Sequence, residues 1–306
     1  MKVLVTSGNF RYHLTPNFHY LLEELAKLVD LTVWYQPGNI QDILNQLGFV
    51  PDFIFINEYG ETNSPQITGL SDLNIPFAVA LHDLHYKIAE RNEALCRDMV
   101  QHIFSIGRDK FYEWYPDHAE KLCWLPHHVN TDVFKDYGLQ KEIDYLMMGA
   151  VHPRVYPLRY KILNYMNHVP GFIYHEHPGY RLFKDDDQSY VHEKYAREIN
   201  RAKIFLTCGS TWNYPLAKYY EVLACRTLLL APICKELGEL GFIPGVHYVD
   251  IDEHNFMTKA EYYLRHEDER RAITLQGYEM VQARHSTAQR AEEMANLIAG
   301  ILQQHT

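Results

Sequence analysis

The stretch KIFLTCGSTWNYPLAKYYEVLACRTLLLAP, residues 203–232, reads as strand, turn, helix, strand. KIFLTCG is a short apolar run closed by Gly, the pattern of a buried strand. YPLAKYYEVLAC has helical length, with Pro215 expected in its first turn. TLLLAP is a second apolar run. This order predicts a parallel crossover unit. Inside the helix, Glu221 stands among apolar and small residues, three positions after Lys218. A carboxylate withdrawn from water is costly unless something meets it. Its partner is either Lys218, on the same helix face, or a ligand.

The rhythm continues in both directions. Before it lie the strand-like runs KVLVTSG, DLTVWYQ, PDFIFINEY, IPFAVALHD, HIFSIG and KLCWLP, separated by helical segments such as PNFHYLLEELAKLV and AERNEALCRDMV. IDYLMMGA, GFIYHEH and HYVDID extend the pattern in the second half, with YPLRYKILNYM and YVHEKYAREINRA as helices between strands. Parallel sheets with helices on both faces follow, an α/β class, with ligands expected beyond the carboxyl ends of the strands. The polar, turn-rich PHHVNTDVFKDYGLQKE, 126–142, reads as the hinge between two αβ blocks.

Composition narrows the function. A length of 306 residues suits two domains, and a formal charge of −10 makes duplex nucleic acid a poor partner. The five cysteines, 96, 123, 208, 225 and 234, are odd in number and lack C-x-x-C spacing, which fits a reduced, cytoplasmic compartment. MKVLVTSG reads as a first strand rather than a signal peptide. No apolar run reaches about 18 residues, so no membrane span is expected, while peripheral contact stays open. No metal site is expected. His127 and His128 are neighbours without an H-x3-H partner, and KDDDQ, 184–188, reads as a solvated loop. No G-x-G-x-x-G follows the first strand of either half, which argues against a nicotinamide dehydrogenase.

WLPHHVNTDVF, 124–134, resembles the linker of retaining GT-B glycosyltransferases of the family-4 type, and LAKYYEVLACRTLLLAP, 216–232, resembles their signature helix and strand. NIPFAVALHD and PDFIFINE are similar to segments of their first domain. The last quarter, from IPGVHYVDID to HSTAQRA, resembles the spore maturation protein-like (CgeB-like) group. The resemblance implies a GT-B fold of two Rossmann-like doubly wound domains facing a cleft. Residues 1–133 would form the acceptor-side domain and 134–284 the nucleotide-sugar domain, with 285–306 a helix crossing back to the first. It implies a retaining, metal-independent glycosyltransferase of the hexosyltransferase type. The donor is a nucleotide-diphosphate sugar, UDP-sugar first, with no other cofactor. The acceptor is unidentified: glycan, lipid-linked sugar, protein or small molecule. A sugar-nucleotide epimerase or hydrolase on the same scaffold, or a catalytically silent binding subunit, remain the alternatives.

Residue by residue, the resemblance places Glu221 on the two ribose hydroxyls, a diol whose two donors suit an ionised carboxylate. Lys218 reaches a phosphate or neutralises Glu221. Gly209, Ser210 and Thr211 form a small-residue turn whose amides face an anion or sugar. Asn213 stands where the family often carries a second Glu, so it can hydrogen-bond a sugar but brings no charge. Arg226 stands where Gly is usual. Gly149 allows close backbone approach, and Arg154, ahead of Arg159, is the candidate cation for the leaving diphosphate. In the first domain His82 and Asp83 are the catalytic candidates near the donor sugar, with His85, Arg11 and His13 as further residues near the acceptor.

Overall fold

The apolar runs become parallel strands. The computed structural model describes residues 1–60, 63–184 and 187–304. Unit 1 comprises Met1–Arg11, Phe18–Pro126 and the C-terminal residues from Ala288; unit 2 comprises Tyr12–Asn17 and His127–Thr287.

Unit 1 runs β1 (Lys2–Thr6), α1 (Asn17–Leu25), β2 (Asp30–Trp34), β3 (Gly38–Asn39), α2 (Ile40–Leu47), β4 (Phe53–Ile56), β5 (Ile67–Thr68), β6 (Phe77–Leu81), α3 (Ile88–Arg97), β7 (His102–Ser105), α4 (Arg108–Trp114) and β8 (Leu122–Trp124). Six strands form a parallel sheet in the order β2-β1-β4-β6-β7-β8. Both faces are covered, so the strands are apolar throughout rather than alternating. Val3, Val5, Phe53, Phe55, Ala78, Ala80 and Phe104 pack with Leu21, Leu22 and Leu25 of α1. Leu4, Ile54, Ile56, Val79, Leu81 and Ile103 pack with Ile40 and Ile43 of α2, Leu95 of α3 and Phe111 of α4. The side chain of Asn39 caps α2 by accepting from Gln41 N, and Gly48 ends it in the left-handed region.

Unit 2 runs β9 (Ile143–Met148), α5 (Pro157–Met166), β10 (Phe172–His175), α6 (His192–Asn200), β11 (Ala202–Leu206), α7 (Ala217–Ala224), β12 (Leu228–Ala231), α8 (Lys235–Glu239), β13 (Val249–Asp250), α9 (Phe256–Arg265) and α10 (Glu267–Arg284). Its sheet is parallel in the order β10-β9-β11-β12-β13. Gly277 lets α10 lie against α7, because a Cβ there would come within 2.3 Å of His247 O and 2.9 Å of Leu223 Cδ2. α11 (Thr287–Gln304) puts Ala291, Met294, Ile298 and Ile301 into the core of unit 1 beside α1.

The α/β class and the parallel sheets are as expected. Details differ. α7 begins at Ala217 after an extended Leu216, so Pro215 precedes the helix instead of occupying its first turn. The long helical segment of the last quarter breaks at His266, between α9 and α10. The two-residue ladder β3–β5 and the short α8 have no counterpart in the sequence reading. Asp185 and Asp186 of the KDDDQ stretch lie outside the described residues. Among the described residues no helix is long and apolar enough to cross a membrane, and no group of three or more His, Cys, Asp or Glu converges as a metal site. None of the five cysteines is in a disulfide.

Candidate functional site

Glu221 is 6% exposed on α7. It forms no direct ion pair with Lys218 among the described residues; a third residue stands between them. Lys218 Nζ donates to the Tyr195 hydroxyl at 3.2 Å, and that hydroxyl donates to Glu221 Oε2 at 3.3 Å. Tyr195 comes from α6, and its ring lies 5.2 Å from the Lys218 ammonium. Burial raises the Glu221 carboxyl above its ordinary range, opposed by Lys218 and the Tyr195 hydrogen bond. Burial lowers Lys218 to about 8, with Arg159 pushing the same way and Glu221 opposing. Oε1 of Glu221 has no donor among the described residues, so one carboxylate oxygen is held and the other is not.

Beside Lys218 lies a buried cation. Arg159, in the first turn of α5, is 2% exposed. Its Nη1 donates to Ala150 O at 2.7 Å and its Nη2 to Thr207 Oγ1 at 3.2 Å, while Nε has no partner. Among the described residues no carboxylate pairs with it. A buried guanidinium without an anion is the costly arrangement, because it keeps the desolvation penalty and gains only two neutral acceptors and the face of the Tyr156 ring, 4.3 Å from its Cζ. Gly149, at the end of β9, faces both cations. Its φ is 117°, and a Cβ there would sit 3.1 Å from Lys218 Cε and 3.5 Å from Arg159 Nη1. Both conformation and space demand glycine. Gly149 N donates to His175 O at 3.1 Å, which ties the end of β10 to the same spot. Two residues further, His177 is partly buried, and burial, Lys218 and Arg159 all lower its pKa.

The turn after β11 borders this cluster. Thr207 is fully buried beneath Arg159, and Ser210 is buried with no partner for Oγ. Gly209 is partly exposed with open space on its Cβ side, and Thr211 is exposed, its N donating to Val155 O. Asn213 is exposed at φ 53°, a left-handed position that Asn tolerates better than most residues.

Unit 1 carries its own polar network. His82 follows β6, and its Nε2 lies 2.8 Å from Asn57 Oδ1. Asn57 Nδ2 donates to Ser7 Oγ at 3.1 Å. Ser7, Asn57 and His82 follow β1, β4 and β6, so the chain runs along the carboxyl edge of the sheet. Burial brings His82 down to about 4. The imidazole is therefore neutral near pH 7, and Asn57 fixes which nitrogen faces it. Asp83 is exposed, and its carbonyl accepts from Arg91 Nη1 at 2.5 Å.

The structure thus gathers Gly149, Arg159, Lys218 and Glu221 in unit 2, with the Gly209–Asn213 turn at their edge. Of the two expected arginines it buries the second. Arg154 is exposed in the loop after β9 and forms no ion pair among the described residues, whereas Arg159 is the buried one. The helical start of α5 explains this: Arg159 points back along the helix toward the strand ends. His128 is buried against Thr287 Oγ1 at 3.0 Å, and His127 packs on Tyr220. Arg226 takes the left-handed conformation a Gly would take, at φ 51°, and pairs with Asp136 at 2.7 Å. Tyr195, His177, Asn57 and Ser7 were not anticipated. His177 carried the one usable signal, a histidine just past a strand in YHEHPG.

Residues 164–296 match the model of a family described as glycosyl transferase-like. No curated protein sequence matches the chain. Among solved structures, HepE of Anabaena in complex with UDP and glucose is similar over 98% of this chain and 100% of its own, with 10% identity and a TM-score of 0.65. Sucrose-phosphate synthase of Thermosynechococcus elongatus is similar over 99% of both chains, with 12% identity and a TM-score of 0.67. A glycosyltransferase of Rickettsia africae is similar over 98% of both chains, with 10% identity and a TM-score of 0.64. The chain has the GT-B fold of these structures.

Proposed function

We propose that the chain is a glycosyltransferase using a nucleoside-diphosphate sugar, with unit 2 as the donor-binding unit. The observation that carries it is Arg159, a buried guanidinium with no carboxylate partner, beside Lys218 and a glycine that cannot carry a side chain. A diphosphate supplies the missing anion. Glu221 would accept from the ribose diol with its unengaged oxygen, and Ser210 and the turn amides would meet the phosphates or the sugar. Arg159 and Lys218 would stabilise the charge that grows on the departing diphosphate. UDP-sugar is the first donor class, since HepE was solved with UDP and glucose and, separately, with UDP-glucose.

His82 and Asp83 are the candidates for a catalytic part in unit 1, His82 as a neutral imidazole. Arg154, exposed and without a carboxylate partner among the described residues, would reach a phosphate only as an outer contact. Retention of anomeric configuration belongs to the same reading, with the leaving phosphate taking the acceptor proton and no metal required. A catalytically silent binding subunit is the second reading, favoured by Asn213 where a second acid would supply charge.

A thermal-shift panel of UDP, UDP-glucose and other nucleotide sugars tests donor binding. At a hundredfold excess over Kd a ligand adds about 2.7 kcal/mol of stability. No shift with any nucleotide sugar would refute the donor site. Binding without release of UDP in the presence of a broad set of acceptors would favour the silent subunit. Where transfer occurs, NMR of the anomeric proton in the product reads retention, and activity in the presence of chelator reads metal independence.

A further inference from the structure

We propose that His177 is a catalytic residue that donates a neutral Nε2–H hydrogen bond to the departing diphosphate, and does not act as a charged acid. The proposal rests on the donor-site reading above and assigns a third donor to that site.

The geometry begins with β10. His175 O accepts from Gly149 N at 3.1 Å, and the Tyr174 hydroxyl donates to Gly149 O at 3.0 Å. The end of β10 is thus pinned on both sides of the glycine that faces Lys218 and Arg159. His177 follows directly in this loop. Gly179 N–H donates to His177 Nδ1 at 3.0 Å, and Gly179 has φ 85°. A nitrogen that accepts a backbone N–H carries no proton. The proton of the neutral ring is therefore on Nε2, and the ring can only donate from that side. The Tyr180 ring lies 4.8 Å from the imidazole, centroid to centroid.

The charged groups bearing on the ring are Lys218 from α7 and Arg159 from α5; Glu221 acts on Lys218 from further along α7. Both cations oppose protonation of His177. Protonation at Nδ1 would also break the Gly179 bond. Binding a diphosphate partly offsets the two cations but leaves that backbone bond in place. Each of the three groups then has a donor to spare: Arg159 its unpartnered Nε–H, Lys218 the N–H groups beyond the one given to Tyr195, and His177 its Nε2–H. In transfer, the bond between the anomeric carbon and the β-phosphate oxygen breaks, and its electron pair goes to the phosphate. The acceptor hydroxyl forms the new bond and loses its proton to that phosphate. His177 keeps its own proton throughout and only strengthens its hydrogen bond as charge develops.

The test uses the full chain with histidine ¹⁵N labelling, inorganic pyrophosphate and UDP as probes, and the variants His177→Phe and His177→Gln. Pyrophosphate should shift the His177 Nε2–H resonance while Nδ1 stays unprotonated. His177→Phe should lower kcat about 10²- to 10³-fold, the cost of one donor to a developing oxyanion, with a smaller change in KM. His177→Gln, which keeps an N–H donor, should recover part of that loss. A merely structural role would leave the ring resonance unmoved by pyrophosphate. The assignment is overturned if His177 becomes doubly protonated on binding, or if UDP and pyrophosphate bind without perturbing its resonance. If pyrophosphate moves His177 but no nucleotide binds, the donor reading fails while the anion site stands.

Discussion

Replacing Arg159 with Met separates stability from binding. The guanidinium is buried and makes two hydrogen bonds to neutral acceptors, Ala150 O and Thr207 Oγ1. Hydrogen bonds to a charged group contribute about 1.5–3 kcal/mol each. Against this stands the desolvation of a charge with no anion, several kcal/mol in protein interiors. The two sums are of similar size, so Arg159→Met should change the stability of the ligand-free protein by no more than about 2 kcal/mol in either direction. With a diphosphate bound the balance is different. The wild-type cation then has its partner, and the variant should bind UDP about 30- to 150-fold more weakly, or about 2–3 kcal/mol. Denaturant unfolding without ligand and titration calorimetry with UDP measure the two terms. A variant that unfolds much more easily yet binds UDP normally would refute the reasoning, since it would make Arg159 a structural strut.

Three further outcomes follow from the geometry. His82 has a folded pKa of about 4 against 6.5 for the free side chain, so the unfolded chain binds more protons between these values; its contribution to stability is complete above about pH 6.5 and is lost as pH falls to about 4. The loss is about 3–3.5 kcal/mol, read as the difference in pH dependence of unfolding between wild type and His82→Gln. Lys218 has a folded pKa of about 8; UDP affinity should therefore decline as pH rises from 8 toward 10, and a Lys218→Met variant should lack that decline. Arg226→Gly relieves a left-handed backbone at φ 51° but removes a surface ion pair with Asp136. A surface pair contributes at most about 1 kcal/mol and left-handed strain costs about 1–2 kcal/mol, so the variant should unfold at equal or higher denaturant.

Much of the fold was legible because both sheets are buried on both faces. That burial writes strands such as FIFI, FAVAL and LLLA as continuous apolar runs, easily told from the amphipathic helices between them. The β3–β5 ladder was not legible, because two residues carry no periodicity. Glu221 and Lys218 were legible because a charged pair inside an apolar helix is conspicuous. Their bridge, Tyr195, was not: it sits 23 and 26 positions earlier on another helix, one tyrosine among many. That Arg159 rather than Arg154 is the buried arginine was hidden for a similar reason. In sequence Arg154 is nearer the glycine of β9, but the loop runs outward and the first turn of α5 brings Arg159 back. Asn57 was hidden because it directly follows β4, where its contact with His82 depends on neighbouring strands rather than on spacing.

The central claim is that Glu221 holds a ribose diol while cations beside it hold the diphosphate. Calorimetric titration of wild type and Glu221→Ala with UDP and with its 2′,3′-dideoxy analogue tests it most directly. The account predicts that wild type prefers UDP, that Glu221→Ala loses about 1.5–3 kcal/mol of UDP affinity, and that the variant no longer distinguishes the two ligands. A folded Glu221→Ala protein that binds UDP as tightly as wild type, and still prefers it to the dideoxy analogue, would contradict the account.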